Sequence, residues 1–231
     1  MQQGDPEWLA ERDKCAITWS AAGEALGLGY QSRAMYMKRK LGLVAAKEQN
    51  WRMAEGQRRE PWCCELYYRI MHEAGVPIEF RTDAFRRDWQ NPLLGGSVDR
   101  LVRHSGSEWV FEAKTSPDSD MRTEIPITHL IQMHGLCHTY RSPKSHYLCW
   151  SQSQGILLAE VTYEDELWDE VLYPRYLEFI ELWKECRIPE KMRADDKEDL
   201  ATEIRSLCNI REIEAVRKMI DFKICNTTQA Q

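Results

Sequence analysis

Two short stretches of this chain bring acids and a lysine within reach of each other. Gly95-Gly96-Ser97-Val98-Asp99 ends in an acid, and Val110-Phe111-Glu112-Ala113-Lys114 carries an acid and a lysine two positions apart. In a β-strand, residues i and i+2 point to the same face, so Glu112 and Lys114 share one. A hairpin through Arg103-His104-Ser105-Gly106-Ser107 returns the second strand beside the end of the first. Asp99, Glu112 and Lys114 then converge. Carboxylates are hard oxygen ligands of the kind Mg²⁺ takes. A lysine beside such a metal orients a water, or helps to deprotonate it, for attack on phosphorus. The chemistry this set supports is metal-dependent hydrolysis of a phosphodiester.

Two further side chains are candidates. Glu60, in Gly56-Gln57-Arg58-Arg59-Glu60, is a possible third carboxylate, although an acid on a solvated helix face is the plainer reading of a lone glutamate. Gln132 follows the Lys114 strand on the next helix and can reach a metal-bound water or a phosphate. His129, His134 and His138 fall on that helix at spacings of five and four with no acid in the same pattern. Packing explains them better than metal binding does. Trp150, Trp168, Tyr173, Tyr176, Phe179 and Trp183 read as core.

The elements that position these residues are legible in outline. Pro6 to Arg12 has proline and acids at a helix start. A second helix is expected from Thr18 or Ser20, as N-cap, to Leu26, stopped by Gly27. A third is expected over 32–48, and the longest over 51–74, ended by Gly75. Strands are expected over 76–82, 94–103 and 108–116. A helix over 128–140 leads to strands over 146–151 and 155–161, joined by a turn. A long helix over 164–186 is interrupted at Pro174. After Pro189 the composition turns highly charged, and residues 190–225 read as a helical arm with sparse apolar positions such as Leu200, Ile204 and Val216. Residues 226–231 read as a flexible tail.

Bulk composition narrows the class. The chain has 231 residues, 43% hydrophobic and 29% charged, as expected of one globular domain with a helical addition. No apolar run is long enough for a membrane span, and the polar start Met1-Gln2-Gln3-Gly4-Asp5-Pro6-Glu7 lacks a signal core. An intracellular protein, cytoplasmic or nuclear and not secreted, is expected. The 8 cysteines are scattered without a Cys-x-x-Cys pair, which argues against a zinc ribbon or an iron–sulfur site and for reduced, mostly buried thiols. The net charge of −6 does not announce a nucleic-acid binder, but it is compatible with a local basic groove.

Four stretches in order resemble one family. Trp8-Leu9-Ala10-Glu11-Arg12 with Ile17-Thr18-Trp19-Ser20, Gly56 to Glu60 with Tyr67, Ser97-Val98-Asp99 with Glu112-Ala113-Lys114, and Ile125-Pro126 with Gln132-Met133 together resemble the phage lambda exonuclease family. These are the YqaJ-type viral recombinases, or alkaline exonucleases, within the PD-(D/E)XK nucleases. The similarity covers roughly residues 5–180. It implies an α/β fold with a restriction-endonuclease-like core, a central mixed sheet flanked by helices. It divides the chain into a nuclease domain over 1–188 and the charged C-terminal arm and tail over 189–231.

The resemblance also implies roles. Asp99, Glu112 and the Ala113 carbonyl would bind Mg²⁺, with Mn²⁺ as a substitute, and Glu60 would complete or extend the site. Lys114 would position the attacking water and Gln132 would assist. Thr18, Ser20 and Ser97 match the hydroxyl residues that hold a 5′-phosphate, with Arg12 as its charged partner. The family arginine lies one residue nearer the Ile-Thr pair, where this chain has Asp13, so Arg12 or Lys14 takes its place. Arg100 stands where a small residue is common. The implied enzyme is a metal-dependent deoxyribonuclease that digests linear duplex DNA 5′ to 3′ and leaves 3′ overhangs for recombination. A ring-like trimer, a single-strand annealing partner and a virus-infected host cell belong to the same pattern.

Two other readings stay open on the sequence. One is a structure- or sequence-specific DNA endonuclease built on the same core. The other is an inactive module that binds DNA ends, against which the intact acid–acid–lysine set argues, because clustered carboxylates without a metal repel one another.

Overall fold

A computed structural model describes residues 4–45, 51–116, 124–151 and 155–213. The expected helix end at 46–48, the turn at 152–154, and the arm and tail beyond 213 lie outside the described residues. In chain order, α1 (Pro6–Asp13) is followed by β1 (Ile17–Thr18), a 3-10 turn (Trp19–Ala21), α2 (Ala22–Ala25) and α3 (Arg33–Lys40). The long α4 (Trp51–Glu73) leads to β2 (Glu79–Arg81), β3 (Arg86–Arg87), β4 (Leu94–Gly96), β5 (Arg100–His104) and β6 (Ser107–Thr115). Then come α5 (Ile127–Tyr140), β7 (Lys144–Ser151), β8 (Gly155–Thr162), a π-helical stretch (Leu167–Leu172) that runs into α6 (Tyr173–Lys184), α7 (Ala194–Leu207) and β9 (Ile210–Glu212).

The result is a mixed α/β fold. Its centre is a six-stranded sheet in the order β2-β5-β6-β7-β8-β9, flanked by helices. Every pair is antiparallel except β6–β7, whose parallel pairing requires the crossover through α5. The β5–β6 hairpin closes on Ser105 and Gly106, both at positive φ (48° and 82°). That is the two-residue turn whose twist suits a hairpin. α4 ends where Gly75 adopts φ 75° and Val76 N–H bonds back to the Met71 carbonyl at 2.9 Å, a left-handed stop that glycine accepts without strain.

Several expectations are corrected. The stretch expected as a helix from Thr18 begins as a strand. β1 pairs in parallel with β4 (Ile17 with Leu94, Thr18 with Gly95), and β3 flanks β4 to form a separate three-stranded sheet. Neither helical turn that follows is capped by a side chain at its N-terminus, so the Thr18 and Ser20 hydroxyls are not spent on capping. The strand expected over 94–103 is two strands in two sheets, broken at Ser97-Val98-Asp99. The helix expected over 32–48 ends at Lys40. Pro174 does not interrupt its helix. The turn before it widens to π geometry, which absorbs the hydrogen bond that proline cannot donate.

The charged segment after Pro189 holds a helix, as its composition suggests. Leu200 and Ile204 of α7 are buried in the main core cluster together with Trp19, Trp168, Tyr176 and Phe179, and β9 then joins the sheet edge beside β8. A second cluster, including Tyr67, Ile70, Phe111 and Leu148, fills the space between α4 and the sheet. No described helix is long and apolar enough to cross a membrane. Cys15, Cys63, Cys64 and Cys137 are buried free thiols.

Trp19 locks the small sheet to α5. A Cβ on Gly96 would lie 2.6 Å from its ring, and a Cβ on Gly135 would lie 2.3 Å away. Both distances are impossible for real atoms, so the indole occupies a slot that two glycines create. Its N–H donates to Thr139 Oγ1 at 2.9 Å, and its edge meets Trp168 with ring centroids 5.7 Å apart. The hydroxyl residues on either side of Trp19 are held in place by this packing.

Gly135→Ala overfills that slot. The expected cost is about 1–3 kcal/mol, seen as a melting temperature lower by roughly 2–4 °C per kcal/mol for a chain of this size. A second prediction concerns pH. His134 is buried, its Nδ1 donates to the Leu130 carbonyl at 3.1 Å, and burial lowers its pKa to about 4. The unfolded imidazole takes a proton near 6.5, so between pH 6.5 and 4 the unfolded chain binds more protons and stability falls with falling pH. The fall is up to ~3 kcal/mol. Urea titrations at pH 7 and pH 5 should show about 2 kcal/mol of that loss in the native chain and a smaller one in His134→Leu.

Candidate active site

The β5–β6 register pairs Arg100 with Phe111, which leaves Asp99 just beyond the ladder, next to Glu112. Asp99 Oδ2 accepts the Ala113 N–H at 2.8 Å and so continues the ladder with a side chain. Glu112 is buried at the sheet centre. Its Oε1 accepts from Gln132 Nε2 at 2.6 Å and from Lys114 Nζ. Its Oε2 is buried with no hydrogen-bond partner among the described residues. Lys114, on the same face of β6, is about one quarter exposed, against 3% for the Glu112 side chain. The pair therefore runs from the interior toward solvent.

Glu60 approaches from α4. It faces Arg100 Nη1 at 3.5 Å, and the same guanidinium donates to the Asp99 carbonyl. Arg100, the residue that replaces a small one, is thus tied to the acids. Around this centre burial works against charge. Burial and then the Asp99 carboxylate push Glu112 up to about 7, and the same two causes push Glu60 up to about 7. Burial also raises Asp99, opposed by Lys114, the Ala113 N–H and Arg100. Burial alone would lower Lys114, but Glu112 and Asp99 overcome it and the ammonium is held above its usual value. Ionising these acids is therefore costly, first because they are buried and second because they stand close together.

All ten residues expected from the sequence line one cavity of about 380 Å³: the acid–lysine group Glu60, Asp99, Glu112, Ala113, Lys114 and Gln132, together with Arg12, Thr18, Ser20 and Ser97. Lys14 does not line it and is paired with Glu11. Arg12 lies over the Trp8 ring, 5.2 Å from its centroid. Of the two basic residues, Arg12 is the one at the cavity.

Sequence reasoning missed other lining residues, notably Trp8, Met53, Gln57 and Phe85. Met53, Gln57 and Glu60 recur at helical spacing, a signal that could have found the α4 face. Phe85 had none, because it reaches the cavity through the short sheet that the sequence concealed. Cys63 also lines the cavity, and burial pushes its thiol up to about 12.

The donor set fits a divalent cation. Glu112 Oε2 is an unpartnered buried carboxylate oxygen, and the Asp99 carboxylate is close enough to raise the Glu112 pKa. Among the described residues no three or more His, Cys, Asp or Glu side chains group as a metal site by themselves. Asp99 and Glu112 are the two carboxylates that would hold such a cation, while Glu60 is turned to Arg100.

The sequence matches no family model and no curated protein. The fold does match. An alkaline exonuclease, LHK-Exo from Laribacter hongkongensis, aligns with a TM-score of 0.62 at 17% identity, over 88% of this chain and 100% of that one. The chain has the fold of an alkaline exonuclease. The LHK-Exo structure in complex with dAMP aligns equally well, with a TM-score of 0.62 at 15% identity and the same coverage.

If Glu112 and Asp99 hold a cation, Mg²⁺ or Mn²⁺ should raise the melting temperature. The gain is about 2.7 kcal/mol at a hundred times the dissociation constant. Glu112→Gln should melt no lower than the native chain without metal and lose the metal-induced rise. An unchanged rise in that variant would remove Glu112 from the metal set.

Proposed function

We propose that the chain is a Mg²⁺-dependent DNA exonuclease, with Mn²⁺ as a substitute, that enters linear duplex DNA at a 5′-phosphorylated end and leaves a 3′ single-stranded overhang. The supporting observation is that the acid–lysine cluster and the arginine–hydroxyl group line the same cavity of about 380 Å³. An enzyme that cuts internally has no use for a terminal-phosphate pocket beside its acids. One that starts from an end does. The exonuclease fold is consistent with this reading.

Asp99, Glu112 and the Ala113 carbonyl would hold the cation, with Glu60 close behind. When bound, the metal supplies a water of lowered pKa and neutralises charge on the phosphate. The chain's own groups do the rest. Gln132 keeps the Glu112 carboxylate oriented through its 2.6 Å hydrogen bond. Lys114 reaches from Glu112 toward the cavity, holds the attacking water and stabilises charge that develops on the phosphate oxygens. Arg12 takes the terminal phosphate bidentately, with Thr18, Ser20 and Ser97 donating hydroxyl hydrogen bonds. That grip fixes the scissile bond at a set distance from the end. The proposal includes a ring-like trimer, whose topology would hold an acidic chain on DNA, and a single-strand annealing partner that receives the overhang. Light scattering on DNA reports the trimer.

The decisive test compares linear duplexes with 5′-phosphate or 5′-hydroxyl ends and closed circles, in Mg²⁺. Digestion of the 5′-phosphorylated linear DNA, lost by at least a hundredfold in Lys114→Ala, is the expected outcome. Arg12→Ala should erase the preference for phosphate over hydroxyl. Cutting of circles would make the protein an endonuclease, and DNA binding without cleavage would make it an end-binding module.

A further inference from the structure

Beside the cavity, on the face of α4 next to the one that carries Gln57, Glu60 and Cys63, lies a cluster that the cleavage chemistry does not use. Trp62 is 48% exposed. Its ring meets Trp150 edge-on, with centroids 4.7 Å apart. The Arg59 guanidinium lies over the Trp150 ring, 4.6 Å from its centroid. Trp150 is cross-strand neighbour to Thr115, which lines the cavity, and its carbonyl accepts the Ser116 N–H at 2.8 Å. Gly56 holds α4 close to the same point, where a Cβ would lie 3.7 Å from Thr115 Oγ1. The aromatic pair therefore begins where the cavity ends.

The charge at this edge also differs from that of the whole chain. Arg58 and Arg59 both donate to the single carboxylate of Glu55, so these three side chains together carry one positive charge in excess, on a chain whose net charge is −6. A half-exposed indole with a guanidinium beside it offers a π face and a cation together. An unpaired nucleobase uses both, whereas a base inside a duplex is already stacked. Continuity with the cavity determines the occupant.

We propose that Trp62, Trp150 and Arg59 form a stacking site for an unpaired base of single-stranded DNA at the edge of the cleavage cavity. The substrate class this names is a duplex carrying a single-stranded tail, and the inference rests on the nuclease reading of the neighbouring site. The site would hold the strand that digestion leaves unpaired and keep the junction in register with the acids.

The test is fluorescence anisotropy with the full chain in EDTA, where no cleavage occurs, using a blunt duplex and the same duplex with a 3′ oligothymidine tail. The native chain should bind the tailed duplex more tightly. Trp62→Ala should lose about tenfold of that advantage, Trp62→Phe should retain it, and affinity for the blunt duplex should not change. Arg59→Gln should weaken tail binding and reduce its salt dependence by about one charge. Thermal melts confirm that each variant is folded, and Trp62→Phe with Arg59→Gln decide the matter should Trp62→Ala unfold. Equal tail affinity in the native chain and in the folded variants would overturn the stacking site. Parallel digestion assays in Mg²⁺ separate the two ideas. Cleavage without tail preference leaves the nuclease and removes the platform, whereas tail preference without cleavage removes the nuclease and leaves the platform.

Discussion

Two carboxylates forced together in a place that water barely reaches are the constraint on which this structure turns. Glu112 sits on β6 and Asp99 just before β5, and each would shed its charge or move apart if it could. Backbone rigidity prevents the movement. Asp99 is tied to the Ala113 amide, and Glu112 is gripped by Gln132 and Lys114. The strain is electrostatic rather than steric, and it can be relieved by a cation of the right size. Glu112 Oε2, buried and without a hydrogen-bond partner among the described residues, faces that strain directly.

Holding the acids requires support from three directions. The hairpin sets Asp99 against Glu112, the crossover through α5 delivers Gln132, and α4 lays Glu60 and Arg100 against each other across the opening. The small sheet has a different task. It carries Thr18 and Ser97 to the same cavity, and the Trp19 wedge fastens it to α5. The acid–lysine cluster is thus mounted on the large sheet, while Thr18 belongs to the small one, which a single indole fastens to α5.

The acid–lysine set was legible because strand alternation and a Ser-Gly turn leave little freedom in where Asp99, Glu112 and Lys114 point. The helices around Gln132 and Glu60 were legible from periodicity and from Gly75. The small sheet was not. Its strands are two or three residues long, too short for alternation to register, and its stability comes from pairings such as Ile17 with Leu94 that are remote in sequence. Thr18-Trp19-Ser20 looked like a helix start because hydroxyl residues do cap helices. The competing demand, a tryptophan filling a slot made by Gly96 and Gly135, lies outside any local window. The integration of α7 was hidden for the same reason, since its two buried positions, Leu200 and Ile204, are sparse in a charged stretch.

The Trp19 slot also constrains how this lineage can change. The indole, Gly96 and Gly135 form a three-way lock in which the volume of one residue is the absence of the other two. A drift to a smaller side chain at 19 opens a void that only a gain at 96 or 135 can fill, and a gain at either glycine is tolerated only after 19 has shrunk. Single steps pass through a poorly packed intermediate, so the three positions exchange as a set or not at all. Relatives should therefore fall into two packing types rather than a continuum. A chain whose wall is fastened by the large-indole solution can diverge far in sequence elsewhere while this junction stays fixed.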